Sequence, residues 1–141
     1  HLAGRPYLQP VYDEPQYVVR NLWRLYGGWY DGAPAHLKPA PEAEIGREIT
    51  ALAGGIDGLI ARARAVAAEG RLELASHLID WAAAAEPGHR GAHAARAEIY
   101  ERRAQGARAL MTRGIFSATA RESTEKSRVD DPLSPQGRGP G

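Results

Sequence analysis

The sequence predicts an all-α fold of antiparallel helical hairpins, closed by a disordered C-terminal tail. Three observations predict it. Apolar residues recur at helical spacing in successive stretches between Asp13 and Thr112, and no stretch reads as a strand. Glycine and proline stand at the ends of those stretches, as Gly27-Gly28, Gly54-Gly55, Gly70 and Pro87-Gly88, where they stop helices. A length of 141 residues with 43% hydrophobic and 25% charged residues suits one domain that can bury roughly two-thirds of its unfolded surface.

Residues 1–12 hold Gly4, Pro6 and Pro10 without periodicity and read as an extended connector. Asp13 opens the first helix, with Pro15 early and Gln16 three residues on, a variant of the capping box. Val18, Leu22, Leu25 and Tyr26 form one apolar stripe, and Val19 and Trp23 face another direction; one of these faces is expected to pack inward. Three prolines between Ala33 and Pro41 exclude a helix interior there. A second helix, from near Pro41, is expected to turn Ile45, Ile49 and Leu52 inward. A third runs from about Ile56 to Glu69 and a fourth from about Leu72 to Ala85. The fifth is the longest, Arg90 to Thr112, with His93, Ala97, Tyr100, Ala104, Ala107 and Met111 on one stripe. Ile115 to Arg121 has room for one or two turns. The helical domain is thus residues 13–121, and residues 122–141, rich in Ser, Asp, Pro and Gly, form the disordered tail.

Composition removes several function classes. Lys plus Arg number 18 against 17 Asp plus Glu, and a formal charge of +1 excludes the basic footprint of a nucleic-acid binder. Without cysteine there is no disulfide framework, thiolate zinc site or thiol nucleophile. No apolar run approaches the roughly 18 residues of a membrane span, and nothing resembles a signal peptide. A soluble chain is expected, cytoplasmic or secreted. It opens on His1 and its one methionine is Met111, so it reads as a piece of something longer.

The middle of the chain repeats itself. Counted from Ile56 on a period of about 34 residues, Ala63, Gly70, Ala75, Ala82 and Pro87 fall on the small-residue and proline positions of a tetratricopeptide-like hairpin. A second unit from Arg90 matches at Ala97 and Tyr100 and then stops. An Ala-rich antiparallel hairpin gives the same pattern, and such arrays need three or more repeats to build a peptide groove.

Chemistry-bearing clusters are scarce. His89 and His93 are four apart, yet no carboxylate or third histidine completes a metal site, so they read as a helix-start residue and a semi-buried histidine. His36 and His77 stand alone. No serine sits in a Gly-x-Ser-x-Gly elbow, and no glycine-rich loop precedes Lys-Ser or Lys-Thr. Arg102-Arg103 and the Arg62/Arg64 pair read as solvated helix faces. The exception is Arg20 to Pro39, which concentrates Trp23, Tyr26, Trp29 and Tyr30 when aromatics make up only 7% of the chain. Such side chains suit an interface or a pocket wall, and Arg20 and Arg24, one turn apart, can hold an anion.

This segment carries a resemblance. Asn21-Leu22-Trp23-Arg24-Leu25-Tyr26-Gly27-Gly28-Trp29-Tyr30-Asp31-Gly32, followed by Pro34-Ala35-His36-Leu37, resembles the helical dimerisation domain of the metallo-β-lactamase-superfamily alkyl sulfatases. Leu72-Glu73-Leu74-Ala75, Ala97-Glu98-Ile99-Tyr100 and Gly114-Ile115-Phe116 resemble the same domain further along, so the likeness covers roughly residues 10 to 123. It departs at Ala33, where the family usually places Asn before the proline, and a looser turn is expected there.

The resemblance implies a homodimerising module of a zinc-dependent sulfate ester hydrolase. In that family a metallo-β-lactamase domain carries the two-zinc site and a sterol-carrier-like domain receives the alkyl chain. Neither motif is expected in this chain, so zinc belongs to a catalytic domain that would be a partner in cis or in trans, and no cofactor or catalytic residue is assigned here. Val19, Trp23 and Tyr30 are the expected dimer interface. Two other readings stand beside this one. Arg24, Tyr26 and Trp29 could contact the substrate or its anionic group in a full-length alkyl sulfatase, or the hairpins could form a tetratricopeptide-like adaptor for a peptide.

Overall fold

Alanine sets the spacing of the central helices. Ala63, Ala75, Ala82, Ala92 and Ala95 have no exposed surface, and their small side chains let neighbouring helices approach until Leu59, Val66, Ile79 and Ile99 interdigitate into one core. The structure, a computed structural model, describes residue 5 and residues 9–128. Among these the order is α1 (Pro15–Gly27), a short 3-10 turn (Pro34–Leu37), α2 (Glu42–Leu52), α3 (Ile56–Ala68), α4 (Leu72–Ala85), α5 (Arg90–Gly106) and α6 (Leu110–Arg128). No strand occurs among the described residues, and the all-α prediction holds. Short links make α3 and α4, then α5 and α6, successive packed hairpins, with α4 also against α5 and α2 laid on α4.

A polar seam ties α4, α5 and α6 together beside this core. The Asp80 carboxylate accepts from Arg96 Nε at 2.7 Å and from the Tyr100 hydroxyl at 2.6 Å. Arg96 also donates to Ser123 Oγ at 2.9 Å, and Arg103 donates to Ser76 Oγ while its guanidinium lies 4.2 Å from the Phe116 ring centre. Burial, reinforced by the Asp80 carboxylate, pushes the Tyr100 hydroxyl up to about 12. The arginines read as solvated faces are therefore partly structural. Arg102 donates to the Ala67 carbonyl at the end of α3, and Arg64 forms a two-point pair with Glu98 at 3.1 and 3.2 Å.

The structure redraws several expectations, among them the capping box at Asp13: α1 starts at Pro15 after Glu14, with no side-chain cap. The stripe from His93 to Met111 predicts one helix, but the chain breaks after Gly106 and α6 starts at Leu110. The cause lies far away in sequence: the carbonyls of Val11 and Tyr12 accept from the Leu110 and Met111 N–H groups at 2.9 and 3.0 Å, giving a new helix start its missing acceptors. The end of the expected connector is thereby a helix cap. Second, α6 runs through Ile115–Arg121, expected as one or two turns, and through residues 122–128, expected in the tail. Buried Ala120 and Ser123 pack it, and Arg90 Nε donates to the Ser127 carbonyl near its end. The remaining tail, residues 129–141, and most of the connector lie outside the described residues.

Third, α2 turns its small side inward. Ile45 and Leu52 are exposed, Leu52 by 87%, while Gly46 and Thr50 are buried and Ile49 is half-buried. The approach to α4 explains this, because a Cβ on Gly46 would lie 2.5 Å from the Trp81 carbonyl oxygen. Fourth, neither face of α1 packs inward: the helix has no buried residue.

Candidate interaction site

The apolar residues of α1 form one face. At about 100° per residue, Leu25, Val18, Leu22, Tyr26, Val19 and Trp23 follow one another around an arc of roughly 160°, and Gln16, Arg20, Asn21 and Arg24 take the opposite side. The two directions separated in the sequence are the two flanks of this single face. All six side chains are exposed, Trp23 by 64% and Tyr26 by 84%. Val19, Leu22, Trp23, Tyr26 and Gly27 line a shallow apolar groove of about 460 Å³. Gly27 lets the Trp23 indole lie along the helix, since a Cβ there would meet the ring at 3.1 Å.

Among the described residues, hydrogen bonds fasten α1 to the domain at its start. Thr112 Oγ1 donates to Glu14 Oε1 at 2.6 Å and accepts from the Tyr17 hydroxyl at 2.8 Å, which joins the first turn of α1 to the first turn of α6. Arg20 borders a pocket with Leu72, Arg102 and Arg103 of the domain, and among the described residues α1 packs on no other helix.

The loop after α1 is shaped by Asp31. Its carboxylate accepts from the Ala33 N–H at 2.9 Å and meets His36 Nδ1 at 2.6 Å. The Ala33 amide, followed by His36, holds the Asp31 carboxyl below its usual range. This turn uses the backbone of residue 33, so Ala33 closes it without the Asn side chain usual there. Before it, Trp29 and Tyr30 meet edge to face with ring centres 6.2 Å apart.

The structure brings together some of the residues singled out from the sequence. Val19 and Trp23, expected at a dimer interface, share one groove with Tyr26, expected at a substrate. Tyr30 pairs with Trp29 in the loop that follows α1. Arg24 lies on the polar side of α1, so Arg24, Tyr26 and Trp29 have three different surroundings. His89 Nδ1 accepts from the Ala92 N–H at the start of α5, and buried His93 donates from Nε2 to the Pro87 carbonyl at 2.7 Å. Each imidazole is thus engaged in local structure. Among the described residues no three His, Asp or Glu side chains gather as metal ligands. Sequence reasoning missed Asp80, Arg96 and Ser123. The i, i+4 spacing of Arg96 and Tyr100 was visible, but their shared acceptor is on another helix.

Comparison with known proteins follows the same outline. A family described as alkyl sulfatase dimerisation matches residues 1–126. A linear primary-alkylsulfatase from a Pseudomonas species is 37% identical over 83 residues, covering 58% of this chain and 16% of that protein. An (R)-specific secondary-alkylsulfatase, also from Pseudomonas, is 28% identical over 116 residues, 82% of this chain and 18% of the other. A solved double mutant of a sec-alkyl sulfatase superposes with a TM-score of 0.72 at 27% identity, over 80% of this chain and 18% of its own. The chain spans less than a fifth of the length of each of these relatives.

Proposed function

Because the chain belongs to the alkyl sulfatase dimerisation family, we propose that it is a homodimerisation module whose pairing surface is the apolar face of α1, centred on Val19 and Trp23 and extended by Tyr30. One observation carries this reading. Six large apolar side chains stand on one helix, exposed, on a domain whose core is complete without them. A contiguous apolar patch of this kind marks an interaction surface, and a twofold pair is the commonest way to bury one. At 13 residues α1 is also at the length where an isolated helix is marginal in water. Its anchor at Glu14 and Tyr17 secures the first turn, and a partner secures the rest.

Tyr26 belongs to this pairing surface, since it shares the groove with Val19 and Trp23. The likeness to named alkylsulfatases supports a role for the module in sulfate ester hydrolysis, with zinc and water activation supplied by a catalytic domain in cis or in trans. No helix among the described residues is long and apolar enough to cross a membrane, so the exposed face of α1 is not a spanning segment.

Sedimentation velocity at micromolar concentration tests the reading. The expected species has twice the chain mass of 15.2 kDa, and Trp23→Asp shifts it to the single-chain mass with helical content retained. A wild-type chain that stays at the single mass over the concentration range overturns it.

A further inference from the structure

Between the first turns of α1 and the helices of the domain lies a recess of about 600 Å³. Four helices contribute to it: α1 with Tyr17 and Arg20, α4 with Glu73, α5 with Arg102 and Arg103, and α6 with Thr112 and Phe116. Its volume is that of a small-ligand site. Gln16, Tyr17 and Arg20 are the α1 residues that reach it, and Arg24, one turn further on, does not border it. Arg20 and Arg24, alike in the sequence, therefore have different surroundings.

The arginines of the recess are set apart by having no acid. The basic groups of Arg62, Arg64, Arg71, Arg96 and Lys126 each meet a carboxylate at 2.6 to 3.5 Å. Arg20, Arg102 and Arg103 form no ion pair among the described residues. Of the two acids at the recess, Glu14 has both oxygens engaged, by Thr112 Oγ1 and by Gln16 Nε2, and exposed Glu73 pairs with none of the three. Two of the guanidinium groups are also held in place. Arg103 donates from Nη1 to Ser76 Oγ and lies over the Phe116 ring, and Arg102 donates from Nη2 to the Ala67 carbonyl. Each bond uses one nitrogen and leaves the other two of that group without an acceptor among the described residues. Donors fixed in this way bind an anion at little further ordering cost.

We propose that this recess binds a tetrahedral oxyanion, a sulfate or phosphate group, held by Arg20 of α1 and by Arg102 and Arg103 of α5. A carboxylate offers two oxygens and a single charge, whereas three guanidinium forks on two helices suit a group with more acceptors and more charge. The Tyr17 and Thr112 hydroxyls are bonded to one another and Thr112 to Glu14, so they serve as wall. A bound anion ties the second turn of α1 to α5, whereas the hydrogen bonds to Thr112 reach only its start. It thereby fixes the direction in which the helix projects. The site uses none of the residues of the apolar groove, so it goes beyond the pairing surface and does not depend on it.

Calorimetric titration of the full chain with sodium sulfate and with sodium phosphate, at an ionic strength held constant with sodium chloride, tests the site. One saturable site per chain is expected for sulfate, phosphate or both, the tighter anion naming the group. Arg20→Gln and Arg102→Gln are each expected to weaken binding on the order of tenfold, from a lost charge-assisted contact. Arg24→Gln removes the same charge from α1 outside the recess and is expected to leave the affinity unchanged. Sodium acetate is expected to bind about tenfold more weakly than the tighter anion. Circular dichroism confirms that the helices remain in each variant. The absence of saturable binding by both anions, or a loss in Arg24→Gln equal to that in Arg20→Gln, overturns the site. Acetate bound as tightly as sulfate and phosphate overturns the tetrahedral class of its ligand. Sedimentation of Arg20→Gln is expected to match the wild-type chain, so failure of the anion site and failure of the homodimer are read separately.

Discussion

The α3–α4–α5 core and the α1 arm use apolar residues in opposite ways. In the core the side chains at the closest approaches are small, Ala63, Ala75 and Ala82, and nothing of them reaches solvent. In the arm they are large, Trp23, Leu25 and Tyr26, and most of each is exposed. The core closes with what the chain carries, because alanine faces bring helices near enough for a few Leu, Ile and Val to fill the space. The arm carries more apolar area than the described residues cover. Amphipathic patterning is stronger in α1 than in any helix of the core, so the strength of the pattern does not report whether a face is buried within its own chain. That is the difference between a helix that its own core covers and one that stays exposed.

The sharpest way to break this comparison is to truncate one residue from each region. Ile79→Ala removes a fully buried side chain and is expected to cost about 2–5 kcal/mol. Leu22→Ala, half exposed, is expected to stay within about 0.5 kcal/mol. Urea unfolding, run dilute enough to keep the chain monomeric, reads both. An equal cost at Leu22 would make the arm part of the folding core.

A smaller effect contrasts two glycines. Gly46→Ala forces a Cβ against the Trp81 carbonyl at 2.5 Å and is expected to destabilise by about 1–3 kcal/mol. Gly114→Ala, inside α6 with nothing within 4 Å of the new Cβ, is expected to stabilise by about 0.5–1 kcal/mol. Thermal melts of the pair separate close helix packing from simple helix propensity.

The smallest effect concerns alkaline pH. The folded Tyr100 hydroxyl titrates near 12 against an ordinary 10.0. Its folded value is raised, so the stability it contributes is fully present below pH 10 and is lost as pH climbs through about 12. Tyr100→Phe is expected to flatten the fall of melting temperature across that window, although the variant starts lower at neutral pH for want of the Asp80 hydrogen bond. Asp80→Asn is expected to bring the Tyr100 ionisation down, read by tyrosinate absorbance. Unchanged titration in Asp80→Asn would remove the carboxylate from the account of the seam.

Much of the framework was legible in the residues. The starts of α3, α4 and α5 at Ile56, Leu72 and Arg90 coincide with the periodic stretches, and the glycine pair at 54 and 55, both at positive φ, divides α2 from α3 as expected. The aromatic segment after Arg20 stood out in the sequence because Trp and Tyr clustered there beyond what composition explains. Its arrangement was less so: Val19, Leu22, Trp23 and Tyr26 belong to one face, and the sequence stripes had divided them.

The all-α class, the starts of α3, α4 and α5 and the family signature were determined by the sequence alone, since each depends on neighbours within a turn or two and on fixed backbone preferences at glycine and proline. Tertiary structure decided the break after Gly106, the reach of α6 to Arg128, the inward side of α2 and the exposure of α1. Each depends on a partner remote in the chain. The Val11 and Tyr12 carbonyls cap Leu110 and Met111, Tyr17 bonds to Thr112 across 95 residues, and the Trp81 backbone excludes a side chain at position 46. No local period carries such information, because a hydrogen-bond acceptor or a steric limit is supplied by whichever element folding brings alongside.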